Sequence, residues 1–171
     1  HPLVQHHLAR LRDELTQPEA FRKAMDELAA LMAYEATGRL EVTRGRVKTP
    51  LGLAPASQLK REVLVVPVLR AGLGMCNALL RLIPNARVGF IGLKREESTL
   101  KAMTYHQSLP PDLRHFEVLL LDPMLATGGS AVATVDILKR WGARRIKFMG
   151  LIAAPEGVRR LHVAHPDVDA A

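Results

Sequence analysis

The stretch Glu117–Ala143, EVLLLDPMLATGGSAVATVDILKRWGA, decides the fold. Val118–Leu121 is an unbroken apolar run that stops on Asp122, which is the length and composition of a strand buried on both faces. From Gly129 the period changes. Val132, Val135 and Leu138 fall on one helical face, and Gly142 is placed to end the helix. A buried strand that feeds a helix through a short turn is the repeating unit of an α/β sheet with parallel strands. Ligands of such sheets sit beyond the carboxyl ends of the strands. There the sequence sets Asp122 and Thr127-Gly128-Gly129-Ser130. The glycines let backbone wrap a tetrahedral anion. Free N–H groups and the dipole at the helix start favour negative charge, and the Thr and Ser hydroxyls add donors. No Gly-Lys-Ser/Thr follows, so this is not a Walker A loop. A plain strand–turn–helix junction with a Ser cap would need none of this equipment.

Outward from this point, three more apolar runs read as strands: EVLVVPVL (62–69), RVGFIGL (87–93) and IKFMGLIAAP (146–155). Helical patterns follow the first and last of them, GLGMCNALLRLIP (72–84) and PEGVRRLHVAHP (155–166). TQPEAFRKAMDELAALMAYEATG (16–38) reads as a further helix, with capping-box spacing at Thr16 and Glu19 and a stop at Gly38. LEVTRGRVKTPLGL (40–53) reads as a small hairpin that turns near Arg44-Gly45. Residues 94–116, KREESTLKAMTYHQSLPPDLRHF, are long and polar, with Pro110-Pro111 barring a continuous helix. They are expected to form a mobile lid loop.

Two other strand ends carry cations. In VPVLRAGLGM, Arg70 sits where the strand stops, with Gly72 and Gly74 freeing the backbone behind it. Asn77 stands where a dinucleotide fingerprint needs Gly or Ala, which disfavours a Rossmann site. A guanidinium beside exposed amides suits phosphate, and a solvated turn explains Arg70 as well. Lys94 and Arg95 end the next strand, where they could meet phosphate or be neutralised by Glu96 and Glu97.

With 171 residues, 48% of them hydrophobic and 24% charged, the chain fits one globular domain with a real core. No apolar stretch approaches the ~20 residues of a spanning helix, and the N-terminal HPLVQHHLARLRDEL lacks the order of a signal peptide. Cys76 is the single cysteine, so there is no internal disulfide and no cysteine metal cluster, and a cytoplasmic location is expected. The histidines show no metal-ligand spacing. The net charge of +7 suits anionic partners, phosphorylated metabolites or nucleic acid, but at 4% aromatics a base-stacking platform is poorly supplied and nucleic acid is not expected. The chain starts without Met and stops as a strand pattern begins, so residues are expected to be missing at one or both ends.

VLLLDPMLATGGS (118–130) resembles the phosphoribosyl-pyrophosphate loop of type I phosphoribosyltransferases. Most members have two adjacent acids before the turn. Pro123 in place of the second is similar to the uracil phosphoribosyltransferase family, as are VLRAGLGM (68–75), APEG (154–157) with AHPDV (164–168), and the N-terminal region. The resemblance implies a central, mainly parallel sheet flanked by helices, with a small hairpin and a lid. It implies transfer of the 5-phosphoribosyl group to uracil, giving UMP and pyrophosphate. By the same resemblance Asp122 contacts the ribose hydroxyls, and the loop from Pro123, Met124 and Leu125 through Ala126, Thr127, Gly128, Gly129 and Ser130 holds the donor, with Ala126–Ser130 around its 5-phosphate. Arg70 with the Ala71-Gly72 backbone binds pyrophosphate near a cis peptide, Arg95 reaches it from the lid, and Tyr105 belongs to the flap. Mg²⁺ arrives on the pyrophosphate rather than in a protein cage. The family also implies a homodimer or higher oligomer, using the hairpin at 39–50, and GTP as an effector in some relatives. The family's base-recognition segment, Tyr-x-x-Pro-Gly-x-Gly-Asp-Ala-Gly-like, does not occur in residues 1–171, which are otherwise read as a single domain. The other readings of the same scaffold are a non-catalytic nucleotide-sensing or RNA-binding regulator and a phosphoribosyltransferase for another base.

Overall fold

The computed structural model describes residues 1–95 and 102–171, with the side chains of all of these but Arg95 and Ala102. In chain order the elements are helices α1 (Pro2–Arg12) and α2 (Pro18–Thr37), strands β1 (Val42–Thr49), β2 (Gly52–Leu59) and β3 (Val63–Leu69), helix α3 (Leu73–Leu82), strands β4 (Arg87–Val88), β5 (Phe90–Arg95), β6 (Ala102–Ser108), β7 (Glu117–Leu121) and β8 (Met124–Leu125), helix α4 (Gly129–Arg140), strands β9 (Ile146–Met149) and β10 (Ile152–Ala153), helix α5 (Pro155–Ala164) and strand β11 (Asp169–Ala170). The main sheet runs β11-β9-β7-β3-β5-β6, with β4 also against β3. Its pairs are parallel except β5 with β6.

The alternation within each strand assigns the two layers. Leu64, Val66, Val68, Val118, Leu120, Ile146 and Phe148 face a core closed by Val135 and Leu138 of α4 and Leu161 of α5. Val63, Val65, Leu119, Leu121 and Met149 face a second core closed by Ala29 and Ala33 of α2 and Met75 and Leu79 of α3. The crossovers α3 and α4 therefore lie on opposite faces. After β3 the chain moves to β5 on one side, and after β7 it moves to β9 on the other. The order reverses between β3 and β7, and the crevice beyond their carboxyl ends is where an open α/β sheet takes a ligand.

Pro67 lies inside the central strand β3, a position where proline is normally excluded. The Gly89 N–H donates to the Val65 carbonyl at 3.0 Å, so Val65, and with it Pro67 two residues on, presents its backbone groups to the β4–β5 side. Pro67 has no N–H to give there. The ladder breaks opposite it, between β4 and β5, and resumes in the same register at Val68↔Ile91.

Three expectations are corrected. The hairpin turns at Pro50-Leu51, with Gly52 at φ +129°, and Gly45 is a strand residue paired with Ala56. Thr16 caps no helix. Its hydroxyl donates to the Arg10 carbonyl, Gln17 holds the N-cap place without a side-chain bond, and Pro18 starts α2. Within the expected lid, residues 102–108 are the edge strand β6, and beyond it Leu113 and Phe116 enter the core. Met103–Ser108 are exposed throughout, so β6 shows none of the alternation that marks a half-buried strand. Residues 96–101 of that lid lie outside the described residues. Among the described residues no helix is long and apolar enough to cross a membrane.

Candidate active site

The loop between β7 and α4 is clamped from one side by the segment that follows β9. The Leu151 and Ile152 N–H groups both donate to the Pro123 carbonyl at 3.1 Å, and the Ala154 N–H donates to the Leu125 carbonyl at 2.9 Å. Arg160 Nη1 donates to the Thr127 carbonyl at 3.4 Å. Gly157 lies so close that a Cβ there would run into the Ala126 carbonyl oxygen. Successive carbonyls of the loop are thus turned toward α5. In a trans peptide the N–H points away from the C=O, so the N–H groups of Ala126, Thr127 and Gly128 face the opposite, open side. The first N–H groups of α4, those of Gly129 and Ser130, have no intrahelical acceptor. The result is a row of backbone donors with a helix N-terminus behind it, built for an anion.

Gly128 is the N-cap of α4, in the left-handed region at φ +76°. A Cβ there would lie 2.9 Å from the Gly157 carbonyl oxygen and 3.2 Å from Arg160 Cβ, so glycine is required both by conformation and by close approach. Ser130 is not the cap; its carbonyl accepts from the Thr134 hydroxyl at 2.8 Å. Leu125 sends its side chain into the core and Pro123 holds β10 with its carbonyl, so these two shape the loop rather than face a ligand. Met124 and Thr127 are exposed.

Asp122 stands at the root of the loop. Its N–H donates to the Met149 carbonyl at 3.1 Å, which fixes it at the sheet's carboxyl edge. Burial pushes its carboxyl up to about 6, an effect partly offset by the Met124 N–H, which donates to it. At pH 7 the carboxylate still predominates, roughly ten to one.

The structure brings the Arg70 turn to the same edge. The Leu69–Arg70 peptide is cis. The Gly72 N–H returns to the Val68 carbonyl at 2.9 Å, and a Cβ on Gly72 would run into the carbonyl oxygen of Leu121, the residue before Asp122. Arg70 and Ala71 are exposed beside this contact. Arg95 ends β5, the strand next to β3, with its side chain outside the described atoms. Tyr105 is a β6 residue whose ring lies across Gly92 of β5, where a Cβ would come within 2.6 Å of it. It is therefore an exposed sheet residue rather than part of a loop. Gly157 and Arg160 complete the loop's support. The APEG motif flagged the first, but no local signal in the sequence flags Arg160.

Larger hollows at the other end of the strands are lined by Lys60, Arg61 and Arg87, whose charges are already paired with Glu41, Glu62 and Glu117. Among the described residues, the Ala126, Thr127 and Gly128 N–H groups at the Asp122 crevice have no such partner.

A family model for uracil phosphoribosyltransferase matches residues 1–171. The uracil phosphoribosyltransferase of Symbiobacterium thermophilum is 54% identical over 170 residues, which is 99% of this chain and 81% of its own length. Among solved structures, the AQ2163 protein from Aquifex aeolicus matches with a TM-score of 0.92 at 36% identity, over 99% of this chain and 82% of its own. A purine phosphoribosyltransferase from Pyrococcus horikoshii, 17% identical, shares the fold alone, at a TM-score of 0.58 over 77% of this chain and 74% of that one. The chain has the type I phosphoribosyltransferase fold and belongs to the uracil phosphoribosyltransferase family, pentosyltransferases that make UMP and pyrophosphate from phosphoribosyl pyrophosphate and uracil.

Proposed function

We propose that phosphoribosyl pyrophosphate binds across the carboxyl ends of β3, β5 and β7 with its 5-phosphate in the Ala126–Ser130 loop. Its ribose hydroxyls then lie against Asp122, and its pyrophosphate lies at Arg70 and the Ala71-Gly72 backbone, within reach of Arg95. The observation that carries this reading is the orientation of the loop, with its carbonyls committed to the 151–160 segment and its N–H groups left open. Uracil then attacks the anomeric carbon through a ring nitrogen. A C–N bond forms, the C–O bond to pyrophosphate breaks with its electron pair going to the leaving group, and the N–H bond of the attacking nitrogen breaks with its proton going to solvent. Positive charge grows on the ribose ring beside the Asp122 carboxylate, and negative charge grows on the pyrophosphate beside Arg70. Positioning and electrostatics supply the catalysis, and the phosphate loop anchors the far end of the donor.

Mg²⁺ fits this donor set. Among the described residues no three carboxylates, histidines or cysteines come together, while one half-buried carboxylate stands at the crevice. That suits a cation which keeps its waters and is bound by one carboxylate and the substrate's own phosphates. When bound, it neutralises charge on the departing pyrophosphate.

The test is an assay of the purified protein with phosphoribosyl pyrophosphate, Mg²⁺ and a panel of bases. Pyrophosphate release is expected with uracil and not with purines; no release with uracil would leave the regulator reading in its place. In the same assay Arg70→Ala is expected to cost roughly 10²-fold in turnover, as loss of one preorganised donor does elsewhere.

The hairpin supports a homodimer. β1 and β2 form a separate two-stranded sheet, and Val42, Val47, Leu51, Leu53 and Leu59 are exposed on it. A lone hairpin is marginal in water and gains stability from a covering surface. Val47→Glu with Leu53→Glu is expected to turn a dimer into a monomer in sedimentation. An unchanged sedimentation coefficient in the double variant would rule the hairpin out as the interface.

A further inference from the structure

We propose that Arg160 is a positioning residue for the donor's 5-phosphate, acting from behind the loop through its backbone. The proposal rests on the reading of Ala126–Ser130 as the phosphate loop. Arg160 lies on α5, one turn after Gly157, and reaches the loop at the Thr127–Gly128 peptide. Its Nη1 donates to the Thr127 carbonyl at 3.4 Å, its Cβ lies 3.2 Å from the place a Gly128 Cβ would take, and its Nη1 lies 3.6 Å from the place a Gly129 Cβ would take. Arg160 therefore sits against Thr127, Gly128 and Gly129, three of the five residues whose N–H groups line the crevice.

Each of the other loop carbonyls turned toward this segment meets backbone: Pro123 meets Leu151 and Ile152, Leu125 meets Ala154, and Ala126 meets Gly157. Thr127 is held by a side chain. The peptide it shares with Gly128 is the last before α4, and Gly128, at φ +76°, has the backbone freedom to let that peptide rotate. A rotated Thr127–Gly128 peptide would present an oxygen to the phosphate in place of an N–H. Arg160 opposes this by holding the oxygen on the α5 side.

Among the described residues Arg160 makes no ion pair, and the Thr127 carbonyl is its one polar contact. Its charge is therefore not cancelled locally. It adds a positive field at the N-terminus of α4, of the same sign as the helix dipole there. Both effects act on ground-state binding of the phosphate and on its transition-state binding alike, because the 5-phosphate does not change during the reaction. Such uniform binding appears in KM and leaves kcat in place.

Arg160→Met and Arg160→Lys separate these effects from a merely structural one. Arg160→Met is expected to raise KM for phosphoribosyl pyrophosphate roughly 5–20-fold, with kcat within twofold and KM for uracil unchanged. Inhibition by ribose 5-phosphate, which carries the 5-phosphate without the pyrophosphate, is expected to weaken by the same factor, while inhibition by pyrophosphate stays at the wild-type value. Arg160→Lys keeps the charge without the planar fork and is expected to recover part of the loss. A wild-type KM in Arg160→Met overturns the proposal, as does equal weakening of ribose 5-phosphate and pyrophosphate. Thr127→Ala, in the loop itself, tells the two readings apart. If it weakens ribose 5-phosphate inhibition and Arg160→Met does not, Arg160 alone is misassigned. If neither does, the phosphate loop is misassigned and the proposal falls with it.

Discussion

Asp122→Asn is expected to lower kcat/KM for phosphoribosyl pyrophosphate by roughly 10²–10³-fold, about 3–4 kcal/mol of transition-state stabilisation, without loss of fold. The amide keeps the shape and still accepts from the Met124 N–H, but it removes the negative charge from beside the ribose as that ring becomes positive. Stability is expected to move the other way. Burial holds the Asp122 carboxyl at about 6, above its ordinary value of 3.8. A carboxyl raised in the folded state contributes stability that is fully present below pH 4 and is lost as pH rises through about 6. At pH 7 the wild type therefore carries a cost for keeping this site charged and half-buried, and the neutral amide escapes it. A thermal midpoint at pH 7 equal to or above wild type, together with the fall in kcat/KM, marks a charge kept for function.

The pH profile sharpens the same prediction. In the wild type, kcat/KM is expected to fall as pH drops through about 6, because protonation removes the carboxylate from the free enzyme. The donor's own phosphate has a second ionisation near 6 and contributes to that limb. Asp122→Asn should keep the donor's share and lose the enzyme's share, leaving a shallower acid limb. An identical limb in the two proteins would assign all of it to the donor and remove Asp122 from the titrating groups.

The legible parts of the site were those whose meaning is local. The period change at Gly129, the carboxylate at the end of Val118–Leu121 and the pair of glycines between them fix a strand, a loop and a helix start without reference to the rest of the chain. The buried strands were legible for the same reason, even β3, since six apolar residues outweigh Pro67 when the lost bond can fall in a gap between β4 and β5. What was not legible depends on partners far away in sequence. β6 is exposed at each of its described side chains and is a strand because β5 lends it a ladder. The hairpin could have turned at Gly45, but Pro50 and a positive φ at Gly52 put the turn six residues later. Arg160 looks like any other arginine of a solvated helix face until the fold lays α5 along the loop.

Gly157→Ala tests whether that long-range support is as important as the loop's own residues. Helix propensity alone makes the substitution favourable by about 1 kcal/mol, since Gly157 lies within α5 and alanine is the better helix former. The packing predicts the reverse. The added Cβ would run into the Ala126 carbonyl oxygen and come within 2.8 Å of the Leu125 carbonyl oxygen, and both are backbone atoms that no rotamer change can move. Relief requires α5 to back away from the loop, which loosens the Ala154–Leu125 bond and the β8–β10 pair together. A net loss of about 1–3 kcal/mol in stability is expected, as for other overpacked sites. The loop carbonyls would then lose the acceptor geometry that keeps their N–H groups outward, and kcat/KM for the donor is expected to fall by roughly 10²-fold although no charged or hydroxyl group has been removed. Gly45→Ala is the control, because a Cβ at Gly45 meets nothing within 4 Å. If Gly157→Ala melts higher than wild type and turns over normally, α5 is only a neighbour of the phosphate loop, and the outward row of N–H groups must be held by the β7–α4 turn alone.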